Sequence, residues 1–563
     1  MNTNAKIVNL KEMLDNSSTK FGDRTLYEID NRIITYKEFK HEVDCLGTAL
    51  INRGLKSKRI AVIGANSYNW ELAYLSVVCG AGVVVPLDKL LPENELESLI
   101  QRSEVEAIFC DEKYVEVLEK IKLKNDNNLN TIILMQPSLN SECLLQEDLI
   151  KQGDELIKQG TTEYLDARID ENKMSILLFT SGTTSKSKAV MLSHKNICSN
   201  IESVTQTLDI NENDVFLSFL PLHHVFECTV GFLYPISLGA EIVFCRGIKH
   251  IVEDLRNNHV SIFMCVPAVY ENIYKNFRNK FKKDGYLELL EKLENVAEKC
   301  PMNERKIIFN QIHEKLGGNI KMLISGAAAL DPEIEKGYRK WGINLLQGYG
   351  LTEASPVISI ETEENYSLSS IGKAISGVQA KIINENEEGM GELVVKGDNV
   401  MLGYLNDDEA TNKVLVDGWL HTGDLAKIDD KGFIYICGRK KSVIVLKNGK
   451  NIFPEEMEKL VNNIDGVKES LIFGKITNKS RDDIKLNVEI VFDKTEVQNI
   501  YNVSTESEIY EKFHEKIKQV NNIMPSYKAI KGIVFSEEPL IKTSTNKIKR
   551  DENIARINKV SEL

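Results

Sequence analysis

Apolar runs of strand length recur along the first half of the chain and are separated by segments of helix length. The runs are apolar throughout, without polar residues at alternate positions, which is typical of strands that are covered on both faces. The pattern therefore predicts layered α/β sheets. The runs lie at residues 59–64, 83–87, 106–110, 131–135 and 174–180, and runs at 260–267 and 320–325 extend the pattern further along the chain.

The longest apolar run, LAYLSVVCGAGVVVPL at residues 72–87, is interrupted by Gly80, Gly82 and Pro86. It is short for a membrane span, and it predicts a buried helix, a glycine break and a buried strand. The N-terminal residues 1–16 also lack the apolar core of a secretory signal. We therefore expect a cytoplasmic protein.

The pattern changes near residue 372, where apolar and polar residues begin to alternate between glycine turns. This alternation indicates antiparallel β structure. The sequences DKG at 430–432 and Asn448-Gly449 predict turns, because Asn-Gly between apolar runs favours a β-hairpin. We therefore expect a β-rich subdomain at about 372–438.

The last part of the chain has the pattern of a separate α+β unit. Pro454 is expected to open a helix, and residues 470–476 and 485–492 are expected to form strands. Thr505 and Glu508 have the spacing of a capping box, which predicts another helix start.

These segments divide the chain into two predicted domains. The large one covers residues 1–438 and includes the β-rich subdomain, and the small α+β one covers residues 439–563. The boundary falls in GRKK at 438–441, between two β segments. A length of 563 residues is too great for one ordinary core and fits this division.

The overall charge limits the kind of partner. Net charge is −13, and the sequence pI is about 5.5. An acidic chain argues against nucleic-acid binding, which requires basic surface to replace counterions. It does not exclude a small anionic substrate, because a local basic cluster can still bind one.

Ten cysteines are spread singly between Cys45 and Cys437, without a C-x-x-C pair. No spacing of His and Cys fits a zinc site. We therefore expect reduced thiols packed in the core.

The sequence TSGTTSKSKAV at 180–190 follows the buried run 174–179. A strand that ends in hydroxyl side chains and glycine, with lysine behind them, can wrap a phosphate chain. The G-x-x-x-x-G-K-[ST] pattern does not fit, because Ser187 and Ala189 replace its second glycine and final hydroxyl. The alternative is a polar surface turn.

Three further motifs follow this loop in a fixed order: QGYGLTEASP at 347–356, GWLHTGDLAKIDDKGFIYICGRKK at 418–441 and KTSTNKIKR at 542–550. With them the chain resembles the adenylate-forming, AMP-binding enzymes over essentially its whole length. Three weaker motifs are similar to the fatty acyl-CoA synthetase branch: FLPLHHVFE at 219–227, MCVPAVYENIY at 264–274 and VIVLKNGKNIFPEEME at 443–458.

The resemblance implies a two-step reaction. A fatty acid carboxylate attacks the α-phosphorus of ATP with Mg²⁺, which releases pyrophosphate, and the thiol of CoA then displaces AMP. Two alternatives stay open. One is an acyl-adenylate ligase that loads a carrier protein, and the other is a catalytically weak relative that holds ATP.

The resemblance also implies roles for single residues. Thr352 and Lys547 are expected to contact the α-phosphate, Glu353 to bind Mg²⁺, and His224 to line the acyl site. Lys441 is the expected hinge of a mobile small domain. The expected ATP-binding residues are Thr180, Ser181, Gly182, Thr183, Thr184, Lys188, Gly326, Ala327, Tyr349, Gly350, Thr352, Asp424, Arg439 and Lys547.

Lys547 is expected to be withdrawn after adenylation, when the small domain swings. The alternative for its neighbourhood is a solvated charge run, which is the usual meaning of Lys542, Lys549 and Arg550.

The chain departs from the usual motif at the phosphate loop. Ser185, Ser187 and Ala189 replace glycine, proline and glycine, and Asn546 replaces glycine near the C-terminus. If the loop glycines adopt left-handed angles, Ser185 and Ala189 each cost roughly 1–2 kcal/mol, and the loss of proline at Ser187 loosens the unbound loop. We therefore expect slower or weaker ATP handling.

The segment YKNFRNKFKK at 274–283 mixes aromatic and basic residues. It suggests either an interfacial helix with peripheral membrane contact or a plain solvated helix. The sequence gives no prediction of oligomeric state.

Overall fold

The structure is a computed structural model that describes residues 6–124, 126–137, 143–180, 187–446, 451–476, 484–542 and 548–561. Its first strands are β1 Thr25–Ile29, β2 Arg32–Thr35, β3 Lys58–Ile63, β4 Gly82–Leu87, β5 Ala107–Cys110, β6 Thr131–Leu134, β7 Leu144–Leu145 and β8 Met174–Thr180. The helices among them are α1 Leu10–Lys20, α2 Tyr36–Asn52, α3 Tyr68–Ser76, α4 Glu93–Ser103, α5 Val115–Lys122 and α6 Gln146–Lys158.

The middle of the chain continues the same alternation. Its strands are β9 Lys188–Ser193, β10 Val215–Ser218, β11 Glu241–Phe244, β12 Ile262–Cys265, β13 Met322–Ser325, β14 Leu345–Gly350 and β15 Val357–Ile360. Its helices are α7 His194–Thr207, α8 Tyr234–Leu238, α9 Ile251–Asn257, α10 Pro267–Lys283, α11 Leu287–Ala297, α12 Met302–Ile308, α13 Asn310–Lys315 and α14 Pro332–Lys340.

The remaining elements begin at residue 373. The strands are β16 Lys373–Ala374, β17 Gln379–Ile383, β18 Gly391–Lys396, β19 Gly403–Tyr404, β20 Leu415–Val416, β21 Trp419–Ile428, β22 Ile434–Arg439, β23 Ile444–Val445, β24 Asn451–Ile452, β25 Val467–Ile476, β26 Ile484–Phe492 and β27 Gly532–Ser536. The helices are α15 Asp408–Val414, α16 Pro454–Asn462, α17 Lys494–Tyr501, α18 Glu506–Ile523 and α19 Arg550–Ser561.

Two large sheets contain the strands β3 to β16 together with β19. One has the strand order β19-β9-β8-β4-β3-β5-β6-β7, and the other has the order β11-β10-β12-β13-β14-β15-β16. In the first sheet, the neighbouring strands of the segment β8-β4-β3-β5-β6-β7 are parallel. In the second sheet, the neighbouring strands of the segment β11-β10-β12-β13-β14 are parallel. The predicted layered α/β class is confirmed, since these strands are the continuous apolar runs of the sequence.

The apolar run at 72–87 folds as its glycines predict. Helix α3 ends at Ser76, a short helical turn covers Val77–Ala81, and β4 begins at Gly82. A Cβ atom on Gly82 would lie 2.0 Å from the carbonyl oxygen of Lys58, so glycine allows β4 to approach β3 closely.

The predicted β-rich subdomain forms an antiparallel sheet in the order β17-β18-β21-β20, with β22 paired to β21. Its predicted turn at 430–432 is present. The Asp429 side chain accepts hydrogen bonds from the amides of Lys431 and Phe433, and Gly432 has a φ of +84°. This turn sets the register in which β22 returns along β21.

The C-terminal part has its own sheet, β25-β26-β27, and its own apolar core. The capping box is present as predicted. Thr505 accepts from the amide of Glu508, and the Glu508 carboxylate accepts from the amide of Thr505. The predicted hairpin turn at Asn448-Gly449 lies outside the described residues. The domain boundary at 438–441 stays a prediction.

The aromatic residues of 274–283 face the interior. Tyr274 stacks on Trp341 with ring centroids 4.5 Å apart, and Phe277 meets the same ring edge-on at 6.0 Å. Phe281 packs against the same core. These rings are therefore not available to a membrane surface. Within the described ranges, no helix is long and apolar enough to cross a membrane.

Two buried carboxyl groups lie close enough to influence each other. Glu71 and Glu227 are both fully buried, and the Tyr27 hydroxyl donates to Glu71. Neither oxygen of Glu227 has a well-formed hydrogen bond within the described part of the chain. The nearest donors to it are the Ser218 hydroxyl and two backbone amides. Burial raises the pKa of Glu227 to about 8.

This raised pKa predicts a pH-dependent stability. Between the ordinary pKa of 4.5 and about 8 the folded protein holds a proton that the unfolded chain releases, so stability falls as the pH rises through this window. Glu227→Gln removes that penalty. Its free energy of unfolding relative to the unsubstituted protein should be higher at pH 9 than at pH 5 by on the order of 3 kcal/mol.

Urea unfolding followed by tryptophan fluorescence measures this difference, since all three tryptophans precede residue 439. Exposed Glu288 supplies the control variant Glu288→Gln. Equal pH dependence in Glu227→Gln and the unsubstituted protein would contradict the assignment.

Candidate active site

The carboxyl ends of β12, β13 and β14 lie side by side at one edge of the second sheet, because these strands are parallel and in register. Gly326 follows β13, and its amide donates to the Cys265 carbonyl at 3.1 Å. A Cβ atom on Gly326 would lie 3.0 Å from the Phe226 ring. Ala327, which is exposed, has a φ of +69°. This edge is where open α/β sheets bind ligands.

Strands β8 and β9 form an antiparallel pair in which Thr180 lies opposite Lys188. The Thr180 hydroxyl donates to the Lys188 carbonyl at 3.5 Å. The pair therefore fixes both ends of the predicted phosphate loop. The next four candidates lie outside the described residues: Ser181, Gly182, Thr183 and Thr184.

Lys188 and Glu353 are joined through one aromatic ring. The Lys188 ammonium lies 4.3 Å from the centre of the Tyr404 ring, and the Tyr404 hydroxyl donates to Glu353 Oε1 at 2.9 Å. Burial and the neighbouring Glu353 raise the pKa of Tyr404 above its usual range. The ring thus holds a cation and an anion at the same opening without direct contact between them.

The segment that carries Tyr404 is anchored on both sides. Strand β19 pairs antiparallel with β9, and the Leu405 amide donates to the Ala189 carbonyl at 2.8 Å. The Met401 amide donates to the Glu353 carbonyl at 2.9 Å. The sequence analysis did not predict a role for Tyr404. A single tyrosine after glycine gives no local sign of contacts with residues as distant in the sequence as Lys188 and Glu353.

Thr352 and Glu353 lie in one helical turn, Thr352–Ala354, directly after β14. A Cβ atom on Gly350 would lie 2.0 Å from the Pro356 carbonyl oxygen, so glycine lets the chain turn back tightly. This turn brings both predicted residues to the edge formed by Gly326 and its neighbours.

Asp424 forms the second polar cluster. It is only 3% exposed and lies directly opposite Arg439 in the β21–β22 pair. Arg439 Nε is 3.1 Å from Asp424 Oδ1, and the Tyr349 hydroxyl donates to Oδ2. Burial, and after it the Asp424 charge, raise the pKa of Tyr349 well above its usual value. The structure therefore brings together three of the predicted ATP-binding residues.

Two residues that differ from the usual phosphate-loop motif, Ser187 and Ala189, are accommodated by the surrounding structure. Arg102 donates to the Ser187 hydroxyl at 3.2 Å and to its carbonyl at 2.7 Å. Ala189 lies in β9 opposite Phe179 with ordinary strand geometry. The conditional cost at Ala189 therefore does not apply, because this position does not have a left-handed backbone. Ser185 lies outside the described residues.

His224 lies between β10 and the helical turn at Glu227–Leu233, next to His223 at a ring distance of 4.4 Å. His223 in turn is 3.6 Å from Asp88. Phe226, two residues along, contacts Gly326. The predicted acyl-site residue thus lies in the same loop as a wall of the predicted nucleotide pocket.

Lys441 is exposed and follows the last pairing of β22. The Lys440 amide donates to the Gly423 carbonyl at 2.9 Å, and the Lys440 ammonium contacts Glu392 at 2.9 Å. Lys441 is therefore the first residue past this anchored segment.

Lys547 and Asn546 lie outside the described residues. Their basic neighbours are paired. Lys542 contacts Glu469, Lys549 is 3.0 Å from Glu552, and Arg550 bonds to the buried Glu458. Arg550 is therefore more than a member of a solvated charge run, whereas Lys549 forms an exposed surface pair that such a run can contain.

Known protein families match both parts of the chain. A model of the AMP-binding enzyme family matches residues 14–405, and a model of the AMP-binding enzyme C-terminal domain matches residues 441–560.

Curated relatives agree with these matches. The chain is 30% identical over 478 residues to long chain acyl-CoA synthetase 3 of Arabidopsis thaliana, which covers 78% of this chain and 71% of that protein. It is 29% identical over 486 residues to long-chain-fatty-acid–CoA ligase 5 of Rattus norvegicus, with 78% and 69% covered.

Solved structures share the fold at lower identity. An anthranilate CoA ligase in complex with anthranoyl-AMP superposes with a TM-score of 0.80 at 19% identity, covering 100% of this chain and 99% of that one. The o-succinylbenzoate CoA synthetase of Bacillus subtilis, in complex with ATP and magnesium ion, gives 0.73 at 20% identity, covering 96% and 99%. The chain therefore belongs to the AMP-binding enzyme family, as an adenylate-forming acyl-CoA ligase.

Proposed function

We propose that the protein activates a long-chain fatty acid with ATP and transfers the acyl group to CoA. The observation that carries this proposal is the likeness to long-chain acyl-CoA ligases over 78% of the chain. The polar clusters around Tyr404 and Asp424 support it, since they surround the strand ends where a nucleotide would bind.

The chemistry needs two displacements. A carboxylate oxygen attacks the α-phosphorus of ATP, the bond from that phosphorus to the bridging oxygen breaks, and pyrophosphate leaves. The thiolate sulfur of CoA then attacks the acyl carbon, the bond to the adenylate oxygen breaks, and AMP leaves. Because the first step joins two anions, positive charge and positioning should dominate catalysis.

Asp424 is the proposed ribose acceptor. A carboxylate offers about four lone-pair directions, and Tyr349 and Arg439 occupy two of them. The remaining directions can accept from the ribose hydroxyls. Gly326 and Ala327 would form the wall next to the base, where small residues let it approach the backbone.

Lys188 and Thr180 would bind the outer phosphates together with the loop between them. Glu353 and Thr352 offer only oxygen donors, a carboxylate and a hydroxyl, which fits the preference of Mg²⁺. When bound there, Mg²⁺ would neutralise phosphate charge. Tyr404 would orient the Glu353 carboxylate through its hydrogen bond.

The small domain would supply Lys547 for adenylation. We propose that it pivots at Lys441 and that it spans residues 439–563. After adenylation the pivot would withdraw Lys547 and admit CoA. His224 would line the acyl site on the opposite side, close to Phe226.

A substrate panel tests the proposed activity. With ATP, Mg²⁺ and CoA, the purified protein should form thioesters of long-chain fatty acids at least about tenfold faster than those of aromatic or dicarboxylic acids, because apolar burial of a long chain contributes a few kcal/mol. Mass spectrometry of the thioesters and release of pyrophosphate are the measurements.

The alternatives give different outcomes in the same assay. Pyrophosphate release with holo-carrier protein but not with CoA would indicate the carrier-loading ligase. ATP binding without pyrophosphate release with any acid would indicate the inert relative.

Tyr404→Phe tests the link between the phosphate loop and the metal-binding carboxylate. The variant keeps the ring next to Lys188 and loses the hydrogen bond to Glu353. We expect the Mg²⁺ concentration for half-maximal activity to rise about tenfold to 150-fold, which corresponds to the loss of one hydrogen bond to a charged group. Tyr404→Leu also removes the ring next to Lys188, and its KM for ATP should therefore be higher than that of Tyr404→Phe.

Tyr435→Phe is the matched control. Its hydroxyl also donates to a carboxylate, that of Asp429 at 3.1 Å, but outside the site. An unchanged Mg²⁺ requirement in Tyr404→Phe would rule out a metal-orienting role.

Lys547→Ala tests the two half-reactions separately. Acyl-adenylate formation should fall by roughly 10²–10³-fold, because one donor at the reacting phosphate is lost. Thioester formation from supplied acyl-adenylate should be largely retained. Stopped assays of each half-reaction measure both rates.

Lys549→Ala is the control, because it removes a nearby lysine that is paired with Glu552. If Lys547→Ala slows both half-reactions equally, the proposed withdrawal of Lys547 is wrong.

A further inference from the structure

Helices α2 and α6 pack against each other unusually closely at one point. A Cβ atom on Gly153 of α6 would lie 1.8 Å from the backbone carbonyl oxygen of Cys45 on α2. Glycine is thus required where the two helices meet. The next residue on α6 is Asp154, and one turn before Cys45 on α2 lies His41.

These three side chains converge beside the glycine contact. His41 Nε2 is 3.6 Å from Cys45 Sγ and 3.3 Å from Asp154 Oδ1. The three possible ligand atoms all lie within 4.8 Å of one another. A tetrahedral zinc ion with usual bond lengths holds nitrogen and sulfur about 3.5 Å apart, and nitrogen and oxygen about 3.3 Å apart. The two observed distances match these edges.

We propose that His41, Cys45 and Asp154 form a binding site for a divalent transition metal of the zinc class. One imidazole nitrogen, one thiolate and one carboxylate suit zinc or cobalt, whereas Mg²⁺ and Ca²⁺ prefer oxygen ligands alone. None of these residues belongs to the candidate active site.

The surroundings of the cluster support a bound cation. The other oxygen of Asp154 contacts Lys158, so Oδ1 can bind a metal while the carboxylate stays oriented.

The site is reachable from solvent and is incomplete as a closed structural site. The His41 side chain is 57% exposed, whereas Cys45 is buried. Three protein ligands leave a fourth tetrahedral position, which water can occupy on the exposed side. A bound metal would join α2 to α6, and we expect it to stabilise this contact without altering the ligase reaction.

The sequence alone does not reveal the site. His41 and Cys45 have the i, i+4 spacing of one helical face, but Asp154 lies on a different helix far along the chain. The sequence-based expectation of no zinc spacing considers only residues that are close together in the chain, so it cannot detect a third ligand brought in by folding.

Cobalt titration of the untagged, metal-free full chain tests the proposal. We expect one Co²⁺ per chain, with a sulfur-to-cobalt charge-transfer band and the visible bands of a tetrahedral site, both displaced by one equivalent of Zn²⁺. Cys45→Ser should abolish the charge-transfer band. His41→Gln and Asp154→Asn should each weaken binding at least about tenfold.

His41→Gln keeps the test decisive if Cys45→Ser does not fold, since His41 is exposed. Cys300→Ser, at a partly exposed cysteine between α11 and α12, is the control and should bind Co²⁺ like the unsubstituted protein. Zn²⁺ should raise the Tm of the unsubstituted protein but not that of His41→Gln. Absence of the charge-transfer band, or a Co²⁺ affinity unchanged in His41→Gln, would overturn the proposal.

Discussion

The buried carboxylate of Asp424 is the constraint on which the arrangement of the candidate site depends. A carboxylate that is 3% exposed is costly unless it is paired and hydrogen-bonded. Arg439 supplies the charge from the facing strand, and Tyr349 supplies a hydroxyl from the end of β14. Since the two partners belong to different sheets, satisfying this one charge also fixes the end of β22 against the end of β14.

On the phosphate side of the site, two charged residues also depend on a neighbouring tyrosine, but they do not pair with each other directly. Lys188 and Glu353 have opposite charges, and a direct ion pair would neutralise both. The Tyr404 ring lies between them, with a cation–π contact to the lysine and a hydrogen bond to the carboxylate. Each charge is held by a weak, partial interaction, so both stay able to bind an anion and a cation supplied by a nucleotide complex.

Local patterns predicted much of the fold, because their causes lie within a few residues. The glycine break in 72–87 and the capping box at Thr505 follow from backbone geometry and hydrogen bonding alone. The contacts of Tyr404 and the hydrogen bonds from Arg102 to Ser187 could not be predicted from local patterns, since their partners are brought together only by tertiary packing. The motifs predicted that Asp424 and Arg439 bind ATP, but only the strand register shows that they face each other.

The proposed pivot is supported by the separate core of the C-terminal part and by the kind of contact that joins this part to the rest of the chain. Its core is separate, and its buried ion pair between Arg550 and Glu458 is internal to it. A contact such as that between Lys459 and Asp331, at 3.8 Å, is a surface ion pair of the kind worth at most about 1 kcal/mol. Breaking such contacts costs far less than disrupting either core, so the proposed rotation at Lys441 would leave both cores and the pair of Asp424 and Arg439 in place.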